Sequence, residues 1–265
     1  MRLSSWNING IRHAVGTGDL GGWLASSAPD IAGFQEVKAA PEQCHDRPWL
    51  DLGYHEWWHP AERSGYSGIL LLAKTEPDEV RRGLQVDEYD REGRLIEATF
   101  GRLSVLTTYF PNGQKKNVRV PFKLAFIETF FARIEALRRM GQSVVFMGDL
   151  NVAHTDDDLE RPAEAAGNTG VLPEERAWLD RFVEAGYVDT FRHLHPESLQ
   201  SYTFWDPWRN RRERNIGWRI DYVFVSSDLL PHLRDAFIEP AVMGSDHCPV
   251  GIDLELPRDI TRSGA

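Results

Sequence analysis

The stretch Phe146-Met147-Gly148-Asp149-Leu150-Asn151 decides how the chain is read. Ser143 to Met147 is a short, mostly apolar run with two adjacent valines, bounded by Gly141 and Gly148. Such a run predicts a buried strand. It delivers a glycine, a carboxylate and a carboxamide to the strand's C-terminal end, where open α/β sheets generally place ligands. Asp149 and Asn151 are two apart, so an extended backbone would point both side chains the same way. A carboxylate that can take a proton, beside an amide that can donate hydrogen bonds, suits hydrolysis of an anion. Gly-Asp by itself also fits a strand followed by a polar turn, so the rest of the chain has to decide.

Outward from that strand the same pattern recurs. Arg2 to Trp6 reads as a strand ending in Asn7-Ile8-Asn9-Gly10, and Ile31 to Phe34 as a strand ending in Gln35-Glu36-Val37-Lys38. A helix is expected over Asp19–Ser27, closed by Pro29 and Asp30. Pro41 to Pro60 resists assignment, and its Trp49, Trp57 and Trp58 are expected in core or rim packing. Ile69 to Ala73 predicts a buried strand. Arg94–Phe100 and Leu103–Tyr109 form a hairpin across Gly101-Arg102. Its second strand ends in the turn Tyr109-Phe110-Pro111-Asn112-Gly113.

Phe122, Phe126, Phe130, Ile134 and Leu137 carry helical spacing, and Gly141 stops the helix. Lys115, Lys116, Arg119 and Lys123 stand beside the tyrosine turn and fit either a solvated face or a phosphate-facing one. His154 to Gly170 is polar and loop-like, and a helix follows from Pro173 to Ala185. Ser201–Trp205 is strand-like, and four arginines crowd Arg209 to Arg214. Strands are expected at Tyr222–Val225 and Val250–Leu256, with Ser245-Asp246-His247-Cys248-Pro249 before the last. The whole reads as α/β: two mixed β-sheets packed face to face, with helices outside. Residues 1–257 form one domain, and 258–265 a polar tail.

Composition narrows the function. The 265 residues are 42% hydrophobic, enough for a large core. Two cysteines, Cys44 and Cys248, imply no disulfide framework and fit a reducing cytoplasm. The first residues are too short and polar for a signal peptide, and no apolar run reaches membrane-spanning length. A net charge of −10 argues against a protein that coats nucleic acid nonspecifically. It leaves room for a nucleic-acid enzyme with a local basic face and an acidic metal site.

The polar strand ends are Asn7, Asn9, Glu36, Tyr109, Asn112, Asp149, Asn151, Asn168, Asp221, Asp246 and His247. They offer acids, amides and a histidine, with no cysteine–histidine spacing for zinc. Oxygen-rich ligands select hard cations, magnesium or manganese. A histidine directly after an acid fits a phosphate contact or proton donor oriented by a carboxylate.

Ser5 to Arg12, Gln35-Glu36, Tyr109 to Gly113, Gly148 to Val152, Gly217 to Asp221 and Ser245 to Pro249 together resemble the exonuclease III family. These are metal-dependent apurinic/apyrimidinic endonucleases within the endonuclease/exonuclease/phosphatase superfamily. The motifs occur in family order over residues 4 to 249. The resemblance implies a four-layer α/β sandwich and a magnesium-dependent nuclease, with manganese as a substitute. Its substrate would be duplex DNA with abasic sites or blocked 3′ ends, and it would act as a monomer.

The resemblance also implies roles. Glu36 matches the principal metal ligand, with Asn9 and Asp246 near the metal. Asn9 stands where some relatives carry aspartate. Asp149, Asn151 and His247 complete the expected metal neighbourhood. Asp149 would orient or deprotonate the attacking water, and Asn151 would hold that water or the charged transition state. His247 paired with Asp221 matches a phosphate-contacting dyad, and Tyr109 a phosphate-side residue. Asn7, Lys38, Asn112 and Asn168 are expected to bind substrate. Phe204, Trp218 and Ile220 match an apolar pocket for a baseless sugar. One metal or two stays open. A phosphatase of lipid or inositol phosphates could share the catalytic centre and would differ in that pocket. A regulator that had lost catalysis should lack some of Glu36, Asp149, Asn151, Asp221 and His247, and none is missing.

Overall fold

The computed structural model describes residues 1–257 and 260. Its strands are β1 (Arg2–Asn7), β2 (Ile31–Gln35), β3 (His55–His59), β4 (Ile69–Ala73), β5 (Glu79–Arg82), β6 (Leu95–Phe100), β7 (Leu103–Tyr109), β8 (Ser143–Asp149), β9 (Tyr187–Asp189), β10 (Asp221–Ser226), β11 (Leu233–Ile238) and β12 (Val250–Leu254). They make two six-stranded sheets, ordered β11-β12-β1-β2-β4-β3 and β5-β6-β7-β8-β10-β9. Each sheet has one parallel pair at its middle, β1 with β2 and β7 with β8, and the remaining pairs are antiparallel.

Strand parity explains the layers. In β8, Val145 and Met147 face the other sheet, while Val144 and Phe146 face the helices. In β1, Leu3 faces inward and Trp6 outward. The core between the sheets joins Leu3, Ile31 and Leu71 to Ile96, Val105 and Val145. Helices Val120–Arg139 and Pro173–Glu184 cover the second sheet through Phe126, Phe130, Ile134 and Phe182. Helix Asp19–Ser27 covers the first through Leu20, Trp23 and Leu24. This is the four-layer sandwich expected from the sequence. Between the sheets Gly33 faces Thr107, and a Cβ at Gly33 would lie 2.3 Å from Thr107 Oγ1. Beside that contact Gln35 Nε2 donates to Ser5 Oγ at 3.0 Å and to Thr107 Oγ1 at 2.9 Å, so the buried polar groups pair across the sheets.

Some expectations shift. Ser201–Trp205 is not a strand; Phe204 makes only isolated bridges to Trp218 and His247. Asp206-Pro207 follows at once, and proline cannot continue a ladder as donor. Strands β3, β5, β9 and β11 carried no clear alternation. Trp49 and Trp58 are buried, as expected of core residues. Lys123 is fully buried and bonded to Glu175, so the basic cluster is neither a solvated nor a phosphate-facing face at that position. The expected tail lies outside the described residues except Ile260, which packs on the core between the sheets. Among the described residues no helix is long and apolar enough to cross a membrane.

Candidate active site

The topology gathers the site. The C-terminal ends of the parallel strands β1, β2, β7 and β8 open on one edge of the sandwich. β10 runs antiparallel to β8, which sets its first residue, Asp221, opposite Asp149. Tyr109 pairs with Asp149 on the other side. β12 runs antiparallel to β1, so Asp246 and His247 lie just beyond Asn7. Parity does the rest. Asn7, Tyr109, Asp149 and Asp221 continue the inward-facing sets of their strands, and their side chains meet between the sheets.

Local backbone is bent at this mouth. Asn9, Glu36, Lys38 and Asn151 all have left-handed φ, between 46° and 53°. Such strain in non-glycine residues clusters at functional sites. Asp149 and Asn151 do converge, but through a turn instead of an extended backbone: Asn151 N–H donates to Asp149 Oδ1 at 2.8 Å. Gly148, at φ 148°, allows the approach of β7, since a Cβ there would lie 1.8 Å from the Thr108 carbonyl oxygen.

The hydrogen bonds form one connected set. Asn7 Nδ2 donates to Glu36 Oε1 at 3.0 Å and to Asp149 Oδ2 at 2.9 Å. Tyr109 hydroxyl donates to Glu36 Oε1 at 2.9 Å, and Lys38 Nζ lies 2.9 Å from Glu36 Oε2. Asn9 Nδ2 donates to Asp246 Oδ1 at 2.9 Å, and Lys38 also donates to Asn9 Oδ1. Asn112 Nδ2 donates to Asn151 Oδ1 at 2.9 Å. His247 Nδ1 is 2.8 Å from Asp221 Oδ2, and its Nε2 is 3.9 Å from Asp149 Oδ2. Thr203 Oγ1 donates to the same Asp221 oxygen at 2.7 Å.

Electrostatics follow from this crowding. Burial, then Asp221 and Glu36, push the Asp149 carboxyl up to about 7, against the opposing pull of His247 and the Asn151 N–H. Burial would lower the His247 imidazole, but Asp221 above all, then Asp149 and Asp246, raise it to about 10. Burial works to raise Glu36, yet Lys38 and the Asn7 amide hold it below the usual carboxylate range. Burial and the facing Glu36 and Asp149 carboxylates raise the Tyr109 hydroxyl well above 10, so it remains a donor.

A cavity of about 320 Å³ opens on these groups. Glu36, Tyr109, Asn112, Asp149, Asn151, Asp246 and His247 line it, together with Phe204, Trp218 and Ile220. Phe204 also packs on the His247 ring, centroids 4.8 Å apart. The three apolar residues join a small cluster with Ala153, Leu159, Ala165 and Val171, which is packing and cavity wall at once. Asn168 is exposed, with its amide on the Ala165 carbonyl; its neighbour Thr169 reaches the cavity instead. Nothing in the sequence marks Thr169, Thr203 or Glu175, and it shows Lys123 only as part of a basic cluster, because its buried partner Glu175 lies 52 residues away. A more open cleft of about 620 Å³ runs along Arg63, Tyr66, Glu92 and Arg119, but it has no acid–imidazole group.

The donor set fits a hard cation. Glu36, Asn9 and Asp246 offer carboxylate and amide oxygens at the mouth, and the Lys38 ammonium already rests on Glu36 and Asn9. Among the described residues, Asp149, Asp221 and His247 also bring potential ligand atoms within 4.8 Å of one another. There, however, both imidazole nitrogens face carboxylates.

A double-sheet α/β sandwich with acids, amides and an imidazolium at one mouth defines a class of hydrolytic enzymes. The model of the endonuclease/exonuclease/phosphatase family matches residues 4–247, and the chain belongs to that family. It is 39% identical to an exodeoxyribonuclease of Bacillus subtilis, over 97% of this chain and all of that one. It is 40% identical to the DNA repair nuclease APEX1 of Danio rerio, over 96% of this chain and 82% of that protein. Among solved structures it is similar to an AP endonuclease from Archaeoglobus fulgidus. That match has a TM-score of 0.88 and 26% identity, covering 97% of this chain and all of that chain.

Proposed function

We propose that this chain is a metal-dependent DNA-repair nuclease of the exodeoxyribonuclease III type. It cleaves the phosphodiester 5′ to an abasic site and leaves a 3′-hydroxyl. The same centre serves 3′→5′ exonuclease or 3′-end-cleaning chemistry. The reading is supported by one arrangement above all: apolar Phe204, Trp218 and Ile220 line the same cavity of about 320 Å³ as the acid–imidazole group. A baseless sugar is small enough for such a wall, and an extruded nucleotide with its base is larger. The names of the relatives support DNA as the substrate class.

In this reading Asp149 orients the attacking water and takes its proton. Asn151 holds that water against the phosphorus. His247, protonated and braced by Asp221, donates to a phosphoryl oxygen as negative charge builds there. Tyr109 and Asn112 contribute further donors, and Asn7 keeps Glu36 and Asp149 in register. Glu36, Asn9 and Asp246 would hold magnesium or manganese, which would supply charge neutralisation to the reacting phosphate. Arg209 and Arg214, together with Lys115 and Lys116, are exposed and supply basic contacts to the DNA backbone. Arg212 is not free for that task, since it donates to the Ser245 carbonyl at 2.7 Å and packs on Trp205. The enzyme is read as a cytoplasmic monomer.

The test uses a duplex with one abasic-site analogue beside an intact duplex, each with and without magnesium. Magnesium-dependent incision 5′ to the lesion supports the reading. Hydrolysis of an inositol phosphate or phospholipid, with both duplexes ignored, overturns it.

A further inference from the structure

We infer that the buried Lys123–Glu175 ion pair is the positioning device of this site, holding Asn151 in its left-handed turn and Thr169 on the cavity wall. The inference rests on the reading of Asn151 as the partner of the attacking water.

Both side chains are fully buried, and Lys123 Nζ lies 2.6 Å from Glu175 Oε1. Lys123 comes from the first turn of helix Val120–Arg139, and Glu175 from the first turn of helix Pro173–Glu184. Neither reaches the cavity. Their other bonds go to the site. Lys123 Nζ donates to the Asn151 carbonyl at 2.7 Å. Glu175 Oε1 accepts from Thr169 Oγ1 at 2.7 Å, and Oε2 accepts from Gly170 N–H at 2.6 Å.

Asn151 is thereby fixed at every polar group. Its N–H bonds Asp149, its Nδ2 the Phe110 carbonyl, its Oδ1 accepts from Asn112, and its carbonyl accepts from Lys123. A left-handed asparagine, here at φ 52°, persists only where its surroundings hold it. Gly170 fits between the two sides of the pocket: a Cβ there would lie 2.9 Å from the Trp218 ring and 3.2 Å from the Asn151 carbonyl oxygen. The pair therefore links the residue proposed to hold water to the wall proposed to select the sugar. A buried ion pair is a poor means of stabilisation, because well-packed apolar residues often do as well or better. Its directed hydrogen bonds are what an apolar replacement cannot supply.

That difference gives the test. Lys123→Met/Glu175→Leu should melt within a few degrees of wild type or above it. On a duplex carrying an abasic-site analogue, its kcat should fall about tenfold or more, with KM changed less than about threefold. The same double change made on an Asn151→Ala background should cost less than about twofold further, since residues acting through one another are non-additive. Should the double variant melt too low to assay, Glu175→Gln takes its place in the same cycle. Unchanged kcat in the folded variant, or an equal loss with and without Asn151, overturns the inference while leaving the role of Asn151 intact. Wild-type turnover by Asn151→Ala alone overturns that role, and the inference falls with it.

Discussion

His247 Nδ1 lies 2.8 Å from Asp221 Oδ2, and both residues are buried. The carboxylate is the principal reason that the imidazole is raised to about 10 in spite of burial. Thr203 fixes the same oxygen, so the ring's orientation is set from behind. The expected activity profile follows in sign. The role proposed for Asp149 needs the carboxylate, so kcat/KM should rise as pH passes through about 7. The role proposed for His247 needs the imidazolium, so activity should be lost as pH rises through about 10.

Asp221→Asn removes the strongest partner that keeps His247 charged. Its alkaline limb should move down by a unit or more, and kcat should fall about 100-fold, the range for loss of a positioned proton donor. A pH–rate series on wild type and variant measures both. An alkaline limb that stays in place would show that His247 does not carry the proton.

Glu36 sits at the mouth with Lys38 against one oxygen and Asn7 and Tyr109 on the other. Glu36→Gln keeps the size and removes the charge. The magnesium concentration for half-maximal incision should rise at least tenfold, with the far-ultraviolet circular dichroism unchanged. Calorimetric titration of magnesium alone should show the same weakening. Equal magnesium affinity in variant and wild type would move the ion elsewhere.

Much of this was legible in the chain. The hydrophobic runs at Ser143–Met147, Ile31–Phe34 and Ile69–Ala73 have one feature in common: both faces of the strand are buried, so nearly every residue is apolar and the signal is strong. Edge strands such as β3 and β5 face solvent in part, and their His, Glu and Arg hide the alternation. The residues at the strand ends were legible because Asp149, Glu36 and His247 lie in short local motifs. Thr203 and the Lys123–Glu175 pair were not, since their meaning lies in partners 18 and 52 residues away. The turn at Asn151 was missed for a different reason: an Asx-type bond from its N–H to Asp149 overrides the extended backbone that the spacing suggested.

Gly148 tests the sandwich itself. A methyl group there would meet the Thr108 carbonyl at 1.8 Å, on the neighbouring parallel strand and one residue before Asp149. Backbone cannot move aside as a flexible side chain can. Gly148→Ala should therefore destabilise by more than about 4 kcal/mol, the range reserved for gross steric conflict. Urea unfolding measures this, and a loss under about 1 kcal/mol would mean that β7 and β8 are not so closely paired at this point.

Substrate choice is the remaining test, and it separates this enzyme from phosphatases with the same centre. Phe204, Trp218 and Ile220 line the cavity together with Glu36, Asp149 and His247. Arg219, between Trp218 and Ile220, turns away into the protein and bonds Asp158 and Asp189, each at 2.7 Å, which anchors the wall. A wall that admits a baseless sugar and rejects a nucleotide by size should lose that discrimination when it is cut back. Trp218→Ala and Phe204→Ala should each lower the ratio of kcat/KM for abasic over intact duplex by about tenfold, the scale on which apolar pockets discriminate. Turnover on the abasic duplex should fall less than that, since the acids and His247 stay in place. Phe204→Ala also loses its contact with the His247 ring, so Trp218→Ala is the cleaner of the two. If both rates fall together and the ratio stays at its wild-type value, these side chains act as packing alone, and selection of the abasic sugar must come from elsewhere on the DNA-facing surface.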